Sequence, residues 1–121
     1  MFGLFKKTPI LATNRDFKVN IVGESFYQDS LQIIWKRTNK DDRPKAKLVP
    51  DPKNPHDANA VKIEVMGMHI GFLSKEDAIR YHAEFGPKSS QCNIRIYGGF
   101  NDDSSTNISA KLNCKRPFQL A

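Results

Sequence analysis

The chain has 121 residues, of which 39% are apolar, and a formal net charge of +6 with a sequence pI of about 9.4. This length is enough for one domain with a substantial core but not for two. No stretch has the length of a membrane-spanning segment or the charge-then-apolar order of a secretion signal, so we expect an intracellular, cytoplasmic protein with no membrane partner.

The N-terminal part of the chain divides into a tail and a strand. Residues 1–15 have mixed character and are interpreted as a tail that packs locally, binds a partner or frays. From Asp16 to Val22, apolar and polar residues alternate, with Phe17, Val19 and Ile21 on one face. This alternation predicts a half-buried strand.

The next apolar region runs from Ser30 to Thr38. Leu31, Ile33 and Trp35 occupy alternate positions, which predicts another strand. A short helical turn at 29–32 is the alternative. A polar, charged loop is expected at 39–44.

The centre of the chain, Lys47–Leu73, contains an unusually stiff loop. Three prolines lie within six residues: Pro50, Pro52 and Pro55. Each fixes its own φ and pushes the preceding residue toward extended geometry. The same loop holds four polar side chains, those of Asn54, His56, Asp57 and Asn59. A rigid polar loop is typical of a recognition site on a β-scaffold, and a plain turn-rich connection is the alternative.

Alternating strands flank this loop. The pattern predicts strands at Lys45–Val49 and Ala60–Val65, a hairpin turn at Gly67 and a returning strand at Met68–Leu73. Gly71 within the returning strand indicates a close approach of another backbone.

A helix is predicted directly after this strand. Ser74 is a good N-cap, acidic residues occupy the first turn, and Gly86 followed by Pro87 is a strong stop signal. The apolar stripe at helical spacing consists of Ala78, Ile79, His82 and Phe85. On this stripe, His82 is interpreted as a packed histidine.

Two further strands complete the pattern, at Gln91–Tyr97 and Asn107–Cys114. Cys92 and Cys114 fall on their inner faces without metal-ligand spacing, so we interpret them as reduced core thiols, with a cross-strand disulfide as the alternative. About six short strands and one main helix predict a mainly β (α+β) fold, a small six-stranded OB-like barrel with the helix packed on it. We assign residues 16–115 to this barrel and residues 116–121 to a C-terminal tail.

Positive charge is concentrated between residues 36 and 53, a segment that contains seven basic and three acidic residues. Such a segment attracts polyanions and releases counterions when it meets phosphates. A solubilising face is the alternative.

Three segments together resemble a HIRAN domain. They are Gly-Glu-Ser-Phe-Tyr at 23–27, Leu-Val-Pro-Asp-Pro-Lys-Asn-Pro-His-Asp-Ala-Asn-Ala-Val at 48–61, and Ile-Gly-Phe-Leu-Ser-Lys-Glu-Asp-Ala at 70–78. The resemblance implies a modified oligonucleotide-binding barrel, which in eukaryotic fork-remodelling ATPases captures the 3′-hydroxyl end of single-stranded DNA. Because the chain has no Walker motif, it is similar to the standalone kind found in bacteria and phages.

The resemblance also implies a DNA-binding site. Asp57 matches the acidic residue that accepts a hydrogen bond from the terminal 3′-hydroxyl, and Lys75 matches a phosphate-contacting lysine. Three residues match aromatic positions on which terminal bases stack: Phe26, His56 and Tyr97.

The chain departs from the family pattern at three of these positions. Ser25 replaces an arginine that contacts phosphate, His56 replaces a tyrosine, and Phe72 replaces a histidine. The fold is expected to tolerate these changes, while the grip on phosphate is expected to weaken. Structural alternatives exist for the matched residues: Phe26 in the core, Asp57 in a turn with nearby amides, and Lys75 as an ordinary surface lysine.

The stiff loop, the aromatic positions, the basic segment and the resemblance together favour binding of single-stranded DNA at its 3′ end, as an accessory to DNA repair or replication. The alternative is an adaptor that docks onto a larger helicase, nuclease or replication protein. His56, Asp57 and His69 show no metalloenzyme spacing, so we expect no enzymatic activity, no catalytic or metal-binding residue and no cofactor.

Overall fold

The six strands form a closed antiparallel barrel in the order β1-β4-β3-β2-β5-β6. The computed structural model describes residues 8–13, 19–38, 44–97, 108–116 and 118–121. The strands are β1 Val19–Val22, β2 Lys45–Pro50, β3 Val61–Val65, β4 Met68–Leu73, β5 Ser90–Tyr97 and β6 Ser109–Asn113. The predicted mainly β, OB-like barrel is confirmed.

Alternation along the strands decides which residues fill the barrel. Val61, Ile63 and Val65 of β3 are buried as predicted, while Lys62 and Glu64 between them point outward. The other strands contribute buried residues in the same way: Val19, Ile21, Ala46, Leu48, Ile70, Leu73, Ile94, Ala110 and Leu112. The core therefore lies inside the barrel, and the residues between the buried ones of β3 face its outer surface.

Both cysteines are free and buried, which confirms the prediction of reduced core thiols. Cys92 lies in β5 before Asn93, and Cys114 follows β6 directly after Asn113; since Asn93 pairs with Asn113, the two cysteines are neighbours across the strands. A hydrogen bond with Cys114, together with burial, raises the pKa of the Cys92 thiol. The thiol form is therefore strongly favoured over the reactive thiolate.

The prediction of a strand at Ser30–Thr38 is wrong, because this region forms helix α1, Gln28–Arg37. Leu31 and Ile34 are buried at helical spacing, whereas Ile33 and Trp35 are 42% and 39% exposed. Two of the three alternating apolar residues that suggested a strand, Ile33 and Trp35, therefore lie outside the core. The apolar pair that packs is separated by three residues, which places both side chains on one helix face.

Helix α2, Lys75–Phe85, forms where it was predicted. The Ser74 hydroxyl accepts a hydrogen bond from the Asp77 amide at 3.2 Å, and Gly86 ends the helix with φ +58°. The predicted apolar stripe is wrong at Ile79, which is 55% exposed, while Tyr81 is buried in its place.

The hydroxyl of Tyr81 links α2 to the start of β5. It donates to the Lys88 carbonyl oxygen at 2.7 Å and lies 2.8 Å from the Ser90 hydroxyl. Burial raises the pKa of Tyr81 to about 12, so the phenol stays protonated and keeps this link at neutral pH.

The described residues near the two termini pack against each other and against β5. Leu11 donates its amide to the Gln91 carbonyl at 2.9 Å, and Ala12 donates to the Gln119 carbonyl at 2.7 Å. Leu11 and Phe118 are both buried. Residues 8–13 and 118–121 are therefore part of the packed structure.

An ion pair between Arg116 and Asp77 joins the C-terminal segment to α2. The Arg116 guanidinium donates to both carboxylate oxygens of Asp77, at 2.7 and 3.1 Å. Asp77 is buried in the first turn of α2, so this pair ties the helix to the residues that follow β6.

Several predicted features lie outside the described residues. They are the start of the first strand at 16–18, most of the loop at 39–44, and the turn at 98–107 between β5 and β6. In the part of the chain that is described, neither helix has the length and apolar character needed to cross a bilayer.

Candidate nucleic-acid interface

Phe26 lies on a 3₁₀ helix, Glu24–Tyr27, that follows β1 directly. Gly23 begins this turn with φ +81°, a left-handed conformation that suits glycine, and its carbonyl accepts the Phe26 amide at 3.0 Å. The Phe26 side chain is 85% exposed. The alternative that placed Phe26 in the core is therefore wrong, and its neighbour Ser25 is exposed as well.

Side chains of the 3₁₀ helix and α1 hold this turn against β6. The Ala110 amide donates to the Glu24 carboxylate at 2.6 Å, and Gln28 bonds to both the amide and the carbonyl of Ile108, each at 2.8 Å. Burial raises the pKa of Glu24 despite the hydrogen bond from Ala110. These contacts fix the backbone that carries Phe26 beside the start of β6.

An aromatic cluster lies next to this turn on the outer face of β4. The Tyr27 ring centroid is 4.4 Å from that of His69, and His69 is 4.7 Å from Phe72 in an edge-on arrangement. His69 donates its Nε2 hydrogen to the Gly71 carbonyl at 2.9 Å. Burial lowers the pKa of His69, so its ring is neutral at pH 7 and packs as an aromatic residue.

The close approach of β1 to β4 depends on Gly71. Its φ is +152°, and a Cβ there would lie 2.5 Å from Ile21 Cγ2 and 2.7 Å from the Val22 carbonyl oxygen. The predicted role of Gly71 is confirmed. Because β1 can lie this close, Phe72 is paired with Val22 on one side and with Lys62 of β3 on the other.

Asn54 organises the loop between β2 and β3. Its side-chain oxygen accepts hydrogen bonds from the backbone amides of His56 and Asp57, at 2.9 and 3.1 Å. The backbone amide of Asn54 donates to the Asp51 carbonyl at 3.0 Å. The loop is closed by the Asp51 amide, which donates to the Ala60 carbonyl at 2.8 Å. These hydrogen bonds add to the stiffness that the three prolines predict.

Asp57 uses one carboxylate oxygen inside the loop. Its Oδ1 accepts the Asn59 amide at 2.8 Å, which is the turn expected as the structural alternative. Within the described residues, Oδ2 has no protein partner and remains an available acceptor. His56 beside it is exposed.

The loop and Lys75 lie at the same end of the β3–β4 pair. Lys62 pairs with Phe72, so the residues before Val61 and those after Leu73 meet at one edge. Lys75 is exposed at the first position of α2. The loop carrying Asp57 and the start of α2 are therefore neighbours in the fold.

Tyr97 lies at the end of β5, paired with Ser109 of β6. It is partly exposed, and the Arg95 guanidinium carbon lies 5.6 Å from its ring centroid. Because Glu24 bonds to Ala110, which follows Ser109, Tyr97 and the 3₁₀ helix lie at the same end of β6.

Two groups of predicted site residues thus emerge. Phe26, Ser25 and Tyr97 lie near the end of β1 and the start of β6, whereas His56, Asp57 and Lys75 lie at the opposite end of β3 and β4. Phe72 belongs between them, because it pairs with Val22 and is followed three residues later by Lys75.

Sequence analysis missed the contacts of several residues that shape this surface. Asn54 was placed in the polar loop, but its hydrogen bonds to the His56 and Asp57 amides were not predicted, although an asparagine two and three residues before such amides is typical of these turns. Tyr27 and His69 were visible as aromatic residues, but their contact depends on the barrel. Glu24 had no local signal, since its partner Ala110 lies 86 residues away.

A family model of the HIRAN domain matches residues 14–119, nearly the whole chain. A search of curated proteins and a search of solved structures each found no match. Among the described residues, no group of three histidine, cysteine or carboxylate side chains is placed to hold a metal ion.

Proposed function

This chain belongs to the HIRAN domain family, a family of nucleic-acid-binding modules, and from that premise we propose that it binds the 3′-hydroxyl end of single-stranded DNA. Such binding suits an accessory role in DNA repair or replication. The site proposed for it comprises Ser25, Phe26, His56, Asp57, Phe72, Lys75 and Tyr97.

The exposed ring of Phe26 is the observation that carries this proposal. A single exposed apolar residue is ordinary, but this one is 85% exposed on a turn that two side chains anchor to β6. Because the backbone under this ring is anchored, a base that stacks on it meets a ring in a defined place, and such stacking contributes about 1–3 kcal/mol per base whatever its identity.

Asp57 supplies the chemistry for an end with a free hydroxyl. A carboxylate accepts a hydrogen bond strongly, and its negative charge repels a terminal phosphate. Oδ2 is available for this role, since Oδ1 is the atom that accepts the Asn59 amide. The loop therefore presents an acceptor in a fixed orientation.

Fluorescence anisotropy with two short oligonucleotides, one ending in a 3′-hydroxyl and one in a 3′-phosphate, tests the proposal. We expect the hydroxyl end to bind more tightly. Asp57→Asn keeps an oxygen for the Asn59 amide but removes the charge, so we expect it to reduce this preference. Glu84→Gln, which removes one carboxylate from the exposed end of α2, is the matched control.

Two results would contradict the proposal. Equal binding to both oligonucleotides by the unmodified protein would show that the terminal hydroxyl is not recognised. Absence of binding at low salt would reject DNA as the ligand, because phosphate contacts strengthen as salt concentration falls.

We propose further that this binding involves no catalysis. The sequence lacks the spacings of known hydrolytic metal motifs around His56, Asp57 and His69. Metal-dependent cleavage of a labelled oligonucleotide that Asp57→Asn abolishes would contradict this.

The second candidate is an adaptor function, favoured by the exposed apolar side chains of Ile33 and Trp35 on α1. In a pull-down with purified DNA-processing proteins, replacement of both residues by serine would abolish docking while leaving DNA binding intact. Deletion of residues 1–15 is not a clean test of this function, since Leu11 is buried in the fold.

A further inference from the structure

We infer that the outer face of β1, β6 and β5 binds the phosphate backbone of the single strand through Lys111 and Arg95, with Asn20 beside them. This inference rests on the proposed DNA-binding function and deepens it. It assigns the single-stranded DNA a path across the outer surface of β1, β6 and β5, which lies outside the Asp57 loop.

The strand register places these three side chains in one row. Asn20 pairs with Lys111 across β1 and β6, and Lys111 pairs with Arg95 across β6 and β5. All three side chains are exposed and point away from the core. Neighbouring strands are about 4.8 Å apart, so the row extends over roughly 10 Å, perpendicular to the strands.

An aromatic edge runs beside this polar row. Tyr97 lies two residues beyond Arg95 on β5, a distance of about 7 Å along a strand. Phe26 is held near the same end of β6 by the bond between Glu24 and Ala110. Rings that stack with bases beside cations that contact phosphates are the usual arrangement of single-strand binding surfaces.

The charge of this face suits a polyanion. β1, β5 and β6 contain no acidic residue among their 17 positions (4 in β1, 8 in β5 and 5 in β6). Among the described residues, the carboxylate that interacts with Lys111 is that of Glu24, which is partly buried and already accepts the Ala110 amide. The Lys111 side chain is exposed, so its ammonium can reach a phosphate at the surface.

Few cations lie beside the aromatic cluster on β4, apart from Lys75 after the end of that strand. Ser25 and Phe72 carry no charge, and Lys62 beside Phe72 lies 3.9 Å from the Glu64 carboxylate. Lys111 and Arg95 are the basic residues on the strands that continue this face beyond β1. They add phosphate contacts to the one proposed for Lys75 at the far end of β4.

The test uses a circular single-stranded DNA, which has no 3′ end, together with a linear oligonucleotide of equal length. We expect Lys111→Gln to weaken binding to both. Each lost phosphate contact makes the slope of log affinity against log salt shallower by about 0.7. With ~1 M salt as the common reference, this lowers the affinity about eightfold at roughly 50 mM salt. The double variant with Arg95→Gln is expected to lose up to twice that slope.

Lys88→Gln is the matched control, because it removes the same charge from the exposed turn after α2. Lys111→Arg is expected to retain binding, which separates a phosphate contact from a folding defect. An unchanged salt slope in Lys111→Gln, or an equal change in Lys88→Gln, would overturn the inference.

The two proposals fail differently. If the 3′-hydroxyl and 3′-phosphate oligonucleotides bind equally while Lys111→Gln weakens binding to the circle, end recognition is wrong and the backbone path stands. If end preference is strong and Lys111→Gln changes nothing, the backbone path is wrong.

Discussion

Replacing Phe26 with alanine separates binding from stability. The ring is 85% exposed, so about 15% of a side-chain surface of roughly 200 Å² is buried, or some 30 Å². At ~25 cal/mol per Å² this area contributes about 0.8 kcal/mol to folding. We expect the free energy of unfolding of Phe26→Ala to fall by no more than that.

The expected loss in DNA binding is larger. Removal of one stacked base contact costs about 1–3 kcal/mol, which corresponds to roughly a 5- to 150-fold weaker Kd. Anisotropy titration with a short single-stranded oligonucleotide measures the Kd, and urea unfolding measures stability on the same preparation. Phe26→Trp keeps a ring at this position and is expected to retain binding.

Ile79→Ala is the matched control for this experiment. Ile79 is also exposed and apolar, but it lies on α2 and outside the proposed site. A Kd for Phe26→Ala within twofold of the unmodified protein would refute the stacking argument. A loss of stability large enough to unfold Phe26→Ala would refute the argument that this exposed ring contributes little to folding.

Three further predictions concern the framework of the site. Gly71→Ala is expected to destabilise the protein by at least ~2 kcal/mol in urea unfolding, because the new Cβ would lie 2.5 Å from Ile21. Asp77→Asn breaks a buried ion pair; since Arg116 is 41% exposed, we expect a loss of about 2–3 kcal/mol in the same assay, below the ~3–5 of fully buried pairs. The folded pKa of His69 is lowered by burial, so stability is expected to fall as pH drops below about 6.5, where the unfolded imidazole gains its proton.

Each of these has its own control. Gly67→Ala also has a positive φ, but nothing lies within 4 Å of its Cβ, so a loss equal to that of Gly71→Ala would contradict the contact argument. Arg116→Gln should cost more than Asp77→Asn, because it leaves the buried Asp77 carboxylate without its bidentate partner, whereas the guanidinium left by Asp77→Asn can reach water; the reverse order would contradict the pairing argument. His69→Gln should flatten part of the pH profile below about 6.5, the unfolded pKa, and an unchanged profile would show that His69 does not set it.

Local patterns in the sequence were sufficient for the elements that depend on neighbouring residues. The alternation at 61–65 predicted β3, the serine at 74 predicted the start of α2, and Gly86 predicted its end. The stiff loop with Asp57 was also visible, because prolines restrict the backbone within a few residues. The barrel could then be inferred from the spacing of the strands, although one of the segments predicted as a strand, at 30–38, is helix α1.

The error at 30–38 shows where local patterns were ambiguous. Apolar residues at 31, 33, 34 and 35 fit either an alternating strand or a helix face. The contacts of α1 resolved the ambiguity, since Leu31 and Ile34 are buried while Gln28 bonds to β6.

The sequence by itself determined the barrel, its helix α2 and the polar loop, because these depend on periodicity and turn chemistry over short distances. Only the tertiary structure decided that Phe26 is exposed and anchored beside β6, and that Asn20, Lys111 and Arg95 form one row. The reason is that the register between these strands is set by hydrogen bonds between residues 12 to 20 positions apart for β5 and β6 and 91 to 93 positions apart for β1 and β6, which no local pattern encodes.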